Sequence, residues 1–70
     1  MGKKELGKII RRERRLREIK VKDLASQVGV SVQYIHAIEA GKANPSIDKL
    51  YKILGQLEIQ LTPETKVVVD

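Results

Sequence analysis

The stretch Leu24–Gly41, LASQVGVSVQYIHAIEAG, constrains the fold more tightly than any other part of the chain. Leu24, Ala25 and Val28 fall at i, i+1 and i+4, one apolar face of a helix. Gly29 follows at once, a residue that takes positive φ at a helix end without a Cβ clash. Val30 can plug the turn, and Ser31 is a good N-cap for a second helix. Ile35 and Ile38 then give that helix its buried face. The spacing leaves little room for any other local geometry.

Two such helices form a helix-turn-helix, whose second helix leaves a polar face free for a groove in DNA. Here that outward face carries Val32, Gln33, Tyr34, His36 and Ala37. Upstream, Leu6, Ile9 and Ile10 start a helical stripe that resumes at Leu16 and Ile19, which predicts a first helix over about 3–18. Glu13 interrupts the stripe, either solvated at its edge or paired with a neighbouring Arg. The helices of the motif are predicted at 21–28 and 32–39. After the loop Lys42-Ala43-Asn44-Pro45, Ser46 can cap a fourth helix, with Leu50, Ile53, Leu54 and Leu57 as its buried stripe. Asp48 suits the dipole at its start.

The period changes at the end of the chain. Leu57, Ile59 and Leu61 alternate with Glu58, Gln60 and Thr62, a strand pattern, and Pro63-Glu64-Thr65 can turn the chain into the β-branched run containing Val67 and Val69. A lone strand of this length is unstable and invites pairing with another chain. The tail therefore reads as a dimer strand built on Leu57, Ile59, Leu61, Val67 and Val69. An intramolecular hairpin on the helices and a frayed end are the alternatives. The division is a DNA-binding domain at 1–57, with its helix-turn-helix at 20–39, and a dimerisation segment at 58–70.

Composition narrows the function. Seventy residues make one small domain, and the absence of Cys excludes disulfides, a thiolate nucleophile and Cys-bound zinc. One His cannot make a metal site alone. The sequence has no nucleophile–base pair and no Gly-rich phosphate loop, and its core is too small to enclose a substrate, so we expect neither enzyme nor cofactor. No run approaches the roughly 20 apolar residues that span a bilayer. The first residues lack an apolar signal core, so we expect a cytoplasmic protein with no membrane partner. Residues 1–22 hold ten of the 14 Lys and Arg against three acids, a local +7, while the rest sum to −2. That asymmetry is an electrostatic footprint for a polyanion; a solvated, Arg-rich first helix is the plainer alternative.

Together, Leu24-Ala25, Gly29-Val30-Ser31, Ile35, Ile38-Glu39, Gly41-Lys42 and Asn44-Pro45-Ser46 resemble the Cro/C1-type, or xenobiotic-response-element, helix-turn-helix family over about residues 6–57. The resemblance implies an all-α, compact four- to five-helix domain, here with a short C-terminal β-strand or hairpin. It also implies a transcriptional repressor that binds palindromic double-stranded DNA as a homodimer. The segment LYKILGQLEIQLT (50–62) resembles HipB-like antitoxins, in which a strand after the helices pairs across the dimer. That likeness implies an autoregulating antitoxin of a toxin–antitoxin operon with a HipA-like kinase toxin as partner. A phage-type repressor, and an interaction module that mainly neutralises a toxin kinase, are the alternatives.

The resemblance also assigns roles. Arg14 and Glu39 match a family ion pair that pins the first helix to the third. Gln33 matches the base-reading face, and its amide can bond adenine N6 and N7 together. Val32 offers apolar contact, Ala37 permits close approach, and Tyr34 and His36 reach phosphates or base edges. Ser31 opens the helix, and Lys42 and Asn44 match backbone-contacting positions after it. Lys20 and Val21 stand where the family commonly has Ser or Thr and then Gln. Lys20 and Lys22 replace that cap and amide contact with charge, which positions without specifying. The rather apolar outward face leaves part of the sequence preference to DNA shape.

Overall fold

The computed structural model describes residues 2–58 and contains four helices: α1 (Lys3–Leu16), α2 (Val21–Val28), α3 (Val32–Glu39) and α4 (Ile47–Gln56). Among the described residues there is no strand. The tail that carries Ile59, Leu61, Val67 and Val69 lies outside the described residues.

The central pair of helices forms where local chemistry dictates. Gly29 ends α2 at φ 84°, and the N–H groups of Gly29 and Val30 both donate to the Ala25 carbonyl, at 2.8 and 2.9 Å. Ser31 caps α3, its Oγ accepting from the Tyr34 N–H at 3.0 Å. Ser46 caps α4 in the same way, accepting from the Lys49 N–H at 3.2 Å. At the end of α3 the chain closes a Schellman turn. Gly41, at φ 76°, donates to the Ile38 carbonyl, and Lys42 to that of Ala37.

The core gathers Ile10 from α1, Leu24, Ala25 and Val28 from α2, Ile35 and Ile38 from α3, and Ile53, Leu54 and Leu57 from and just after α4. Each large side chain buried this fully stabilises the fold by about 1.5–3 kcal/mol. Around this core α1 packs on α3, and α2 packs on both α3 and α4. Val30 closes the turn as a partly buried plug.

The first helix departs from expectation at two places. It ends at Leu16 rather than 18, because Glu18 enters the left-handed region at φ 56° and donates its N–H to the Arg15 carbonyl. Leu16 does not resume the buried stripe; it is 70% exposed. One turn beyond Ile10 the inward position falls to Arg14, and Leu16 lies about 160° away from it around the helix. Glu13 is paired, its carboxylate accepting from Arg17 Nη1 at 2.5 Å and from Arg12 Nε at 3.3 Å.

Leu57 is also placed differently from the dimer strand expected to begin there. It caps the end of α4 and is completely buried in the core of its own chain, so it has no surface to offer a second copy. Its place in the α4 apolar stripe outweighs its place at the start of the alternating pattern.

Candidate nucleic-acid interface

The seven residues Val32–Ile38 wind the α3 surface so that Ile35 and Ile38 turn inward and Gln33 and His36 stand exposed. Ala37, between them in the helix, is half-buried. Val32 and Tyr34 are also half-buried and pack against the core, leaving part of each side chain at the rim of this face. Ser31 is exposed, but its Oγ is occupied by the cap. Gln33 is thus the exposed amide of α3, with His36 the other exposed polar group of this face and the rest small or partly apolar.

Cations frame this helix. Lys20 and Lys22 are exposed at the start of α2, where Lys20 takes the N-cap position with extended backbone and makes no side-chain cap. The missing cap leaves N–H groups at the α2 start free for an external acceptor, and a helix N-terminus favours an anion such as phosphate. On the far side of α3, Lys42 and Asn44 are exposed in the loop before α4.

The orientation of α3 is set by α1, through an ion pair and a glycine. Arg14 meets Glu39 side by side: Nε donates to Oε2 at 2.7 Å and Nη2 to Oε1 at 3.1 Å. The third direction of the guanidinium is also filled, Nη1 donating to the Ile19 carbonyl at 2.8 Å. One side chain therefore ties together the end of α3, the body of α1 and the α1–α2 link. A bidentate pair fixes direction as well as distance. Gly7 lets the two helices approach. A Cβ there would overlap the Ile38 carbonyl oxygen and lie 2.9 Å from that of Glu39. Gly41 is held against α1 likewise, since a Cβ on it would lie 2.9 Å from Lys4 Cα.

The structure brings Arg14 and Glu39 into contact, and it brings His36 to a shallow groove shared with Arg11 of α1. Gly7 and Arg11 were not singled out as site residues from the sequence. A glycine inside a strongly helical stretch was the available signal for Gly7, since it weakens a helix unless close packing requires it. For Arg11 there was none, because its nearness to His36 depends on how α1 crosses α3.

Among the described residues no group of His and acidic side chains could hold a metal ion, and no helix is long and apolar enough to cross a membrane. The arrangement offers hydrogen-bond donors, the exposed amides of Gln33 and Asn44, and positive charge, which are elements of nucleic-acid recognition.

Comparison with known proteins agrees with this geometry. Residues 10–63, well over half of the chain, match the Helix-turn-helix family. Over 58 residues the chain is 40% identical to the HTH-type transcriptional regulator SlrR of Bacillus subtilis (strain 168). That match covers 81% of this chain and 38% of SlrR, so the chain spans well under half of its relative's length. With its four-helix order, its glycine turn between α2 and α3 and this match, the chain belongs to the Cro/C1-type helix-turn-helix family.

Proposed function

We propose that the chain is a sequence-specific DNA-binding transcription regulator that acts as a repressor. The observation that carries this reading is the exposed Gln33 on a capped α3, locked in place by the Arg14–Glu39 pair and flanked by exposed lysines at both ends. Family membership and the resemblance to a named transcriptional regulator support it. In this reading α3 enters the major groove. Gln33 reads a base edge, Val32 and Ala37 line the close approach, and Tyr34 and His36 reach the groove walls. Ser31, Lys20, Lys22, Lys42 and Asn44 hold the backbone.

The regulator works as a homodimer in this proposal, with two half-sites about one helical turn, roughly 34 Å, apart. The alternating sequence at 59–62 supports pairing between copies, and exposed Ile47 and Tyr51, one turn apart on α4, supply apolar surface. Occupied half-sites block transcription sterically.

The finer proposal is an autoregulating antitoxin working in the cytoplasm with a HipA-like kinase toxin. Its support is the likeness of residues 50–62 to HipB-like chains and the sparse polarity of the α3 face, which suits a protein with a second binding duty. Footprinting of the DNA upstream of the gene tests autoregulation. A protected palindrome is expected, and unprotected DNA contradicts it. Co-purification of the neighbouring gene's product tests the antitoxin role, and its absence leaves a phage-type repressor as the better reading.

A further inference from the structure

The arginines and lysines of α1 fall into two groups that the sequence alone does not separate. Arg14 is committed to Glu39 and the Ile19 carbonyl. Arg17 folds back on the Glu13 carboxylate and carbonyl, and Arg12 also pairs with Glu13. Lys3, Lys4, Lys8, Arg11 and Arg15 remain without an ion pair among the described residues, and Lys3 lies off the line of the last four. Those four recur at i, i+4, i+7 and i+11, so they form one stripe along the helix. Placing four like charges in one stripe opposes helix formation unless a counter-charge lies against it.

The stripe has a definite position. Lys4 packs against Gly41, just after α3, and Arg11 lines a groove with His36 of α3, Ala40 at its C-cap and the Arg14–Glu39 pair. A second open groove begins at the same Arg11 and continues over Lys8, Arg12 and Arg15. Basic side chains therefore continue from the end of the recognition helix, past the neutralised Arg14–Glu39 pair, along α1 as far as Arg15 and the exposed Leu16. Two acids beside it are already neutralised, Glu13 by Arg17 and Arg12, and Glu39 by Arg14, while Glu5 and Glu18 stand exposed near its two ends.

We propose that Lys8, Arg11 and Arg15, with Lys4 at the end beside Gly41, form a second phosphate-binding track. It would grip the DNA backbone flanking the segment that α3 occupies. The inference rests on the reading of α3 as the DNA-facing helix. It assigns to α1 a direct share of affinity in addition to its packing role. Because the contacts are to phosphate, they raise affinity for every sequence equally and add nothing to base choice.

The test is binding of the full chain to a mixed-sequence duplex between about 50 and 200 mM salt, where each lost phosphate contact lowers the log–log slope by about 0.9. The triple variant Lys8→Gln/Arg11→Gln/Arg15→Gln is expected to lower the slope by about 2 to 3. Lys8→Arg/Arg11→Lys/Arg15→Lys is expected to restore it. The double variant Lys3→Gln/Arg17→Gln removes charge at the two ends of the same helix, outside both grooves, and is expected to leave the slope close to wild type. All the changed side chains are exposed, and a circular-dichroism melt of each variant confirms the fold. Equal slopes for the triple variant and wild type overturn the track, as does an equal loss per charge in the double variant. If Lys42→Gln lowers the slope while the triple variant does not, the track falls and the α3 reading stands. If the wild-type chain shows no salt-dependent binding to duplex DNA, both fall.

Discussion

Arg14 and Glu39 meet in a two-point ion pair, with side chains only 12% and 7% exposed, and Arg14 spends its remaining donor direction on the Ile19 carbonyl. The pair joins residues 25 positions apart and fixes the angle at which α3 leaves the core. Glu39→Ala strands a guanidinium at the α1–α3 junction, and Arg14→Ala strands a carboxylate. Each single change is expected to destabilise the fold by about 3–5 kcal/mol, read by urea denaturation. Arg14→Lys keeps the charge but loses the fork, and should fall between wild type and Arg14→Ala.

Two helical glycines should respond to alanine in opposite directions. At Gly7 the added methyl meets the Ile38 and Glu39 carbonyls, so Gly7→Ala is expected to cost about 1–3 kcal/mol by forcing α1 from α3. At Gly55 nothing lies within 4 Å, and Gly55→Ala should stabilise α4 by about 0.4–1 kcal/mol. Thermal melts of the two variants check the contrast, and a shift of the same sign in both contradicts it.

Glu18 ends α1 in the left-handed region, at φ 56°. An L side chain is disfavoured there by roughly 1–2 kcal/mol, and part of that returns when glycine replaces it. Glu18→Gly is expected to raise stability by about 0.5–1 kcal/mol, measured as a shift in denaturation midpoint at unchanged slope.

Glu13 gives the domain a small acid-sensitive element. The hydrogen bond from Arg17 holds its carboxyl below the usual carboxylate range, partial burial works against this, and Arg12 adds to the lowering. Because the folded group is the stronger acid, its contribution is complete above the unfolded pKa of about 4.3. That contribution disappears as pH falls through the lower folded value. The stability difference between wild type and Glu13→Gln should therefore shrink below about pH 4. A carboxyl titration of Glu13 by NMR, midpoint below the ordinary range, checks the cause directly.

What could be read from sequence was what is decided locally. Residues 21–28 and 32–39 form helices where expected because Gly29, Ser31 and the apolar spacing act within a turn or two of the residues they affect. The inward position taken by Arg14, at the expense of Leu16, was hidden from periodicity. A part-buried guanidinium is acceptable only because Glu39 and the Ile19 carbonyl meet it, and that is a tertiary fact. The pairing of Arg14 with Glu39 is implied by family resemblance, not by spacing. Gly7 looks like a defect of α1 until α3 is laid against it. Leu57 belongs to two overlapping patterns, helical and alternating, and only packing decides between them. Likewise the grouping of Lys4, Lys8, Arg11 and Arg15 apart from Arg12, Arg14 and Arg17 emerges from which acids the latter three engage.

The central claim is that α3 reads bases through Gln33. The most direct measurement compares wild type and Gln33→Ala across a salt series, on a duplex selected by the wild-type chain from random sequence and on a scrambled control. Gln33→Ala should lose about 1–3 kcal/mol of preference for the selected duplex while its salt slope matches wild type. A wild-type chain that binds both duplexes equally, with steep salt dependence alone, would contradict base reading by α3 and reduce its DNA contact to generic charge.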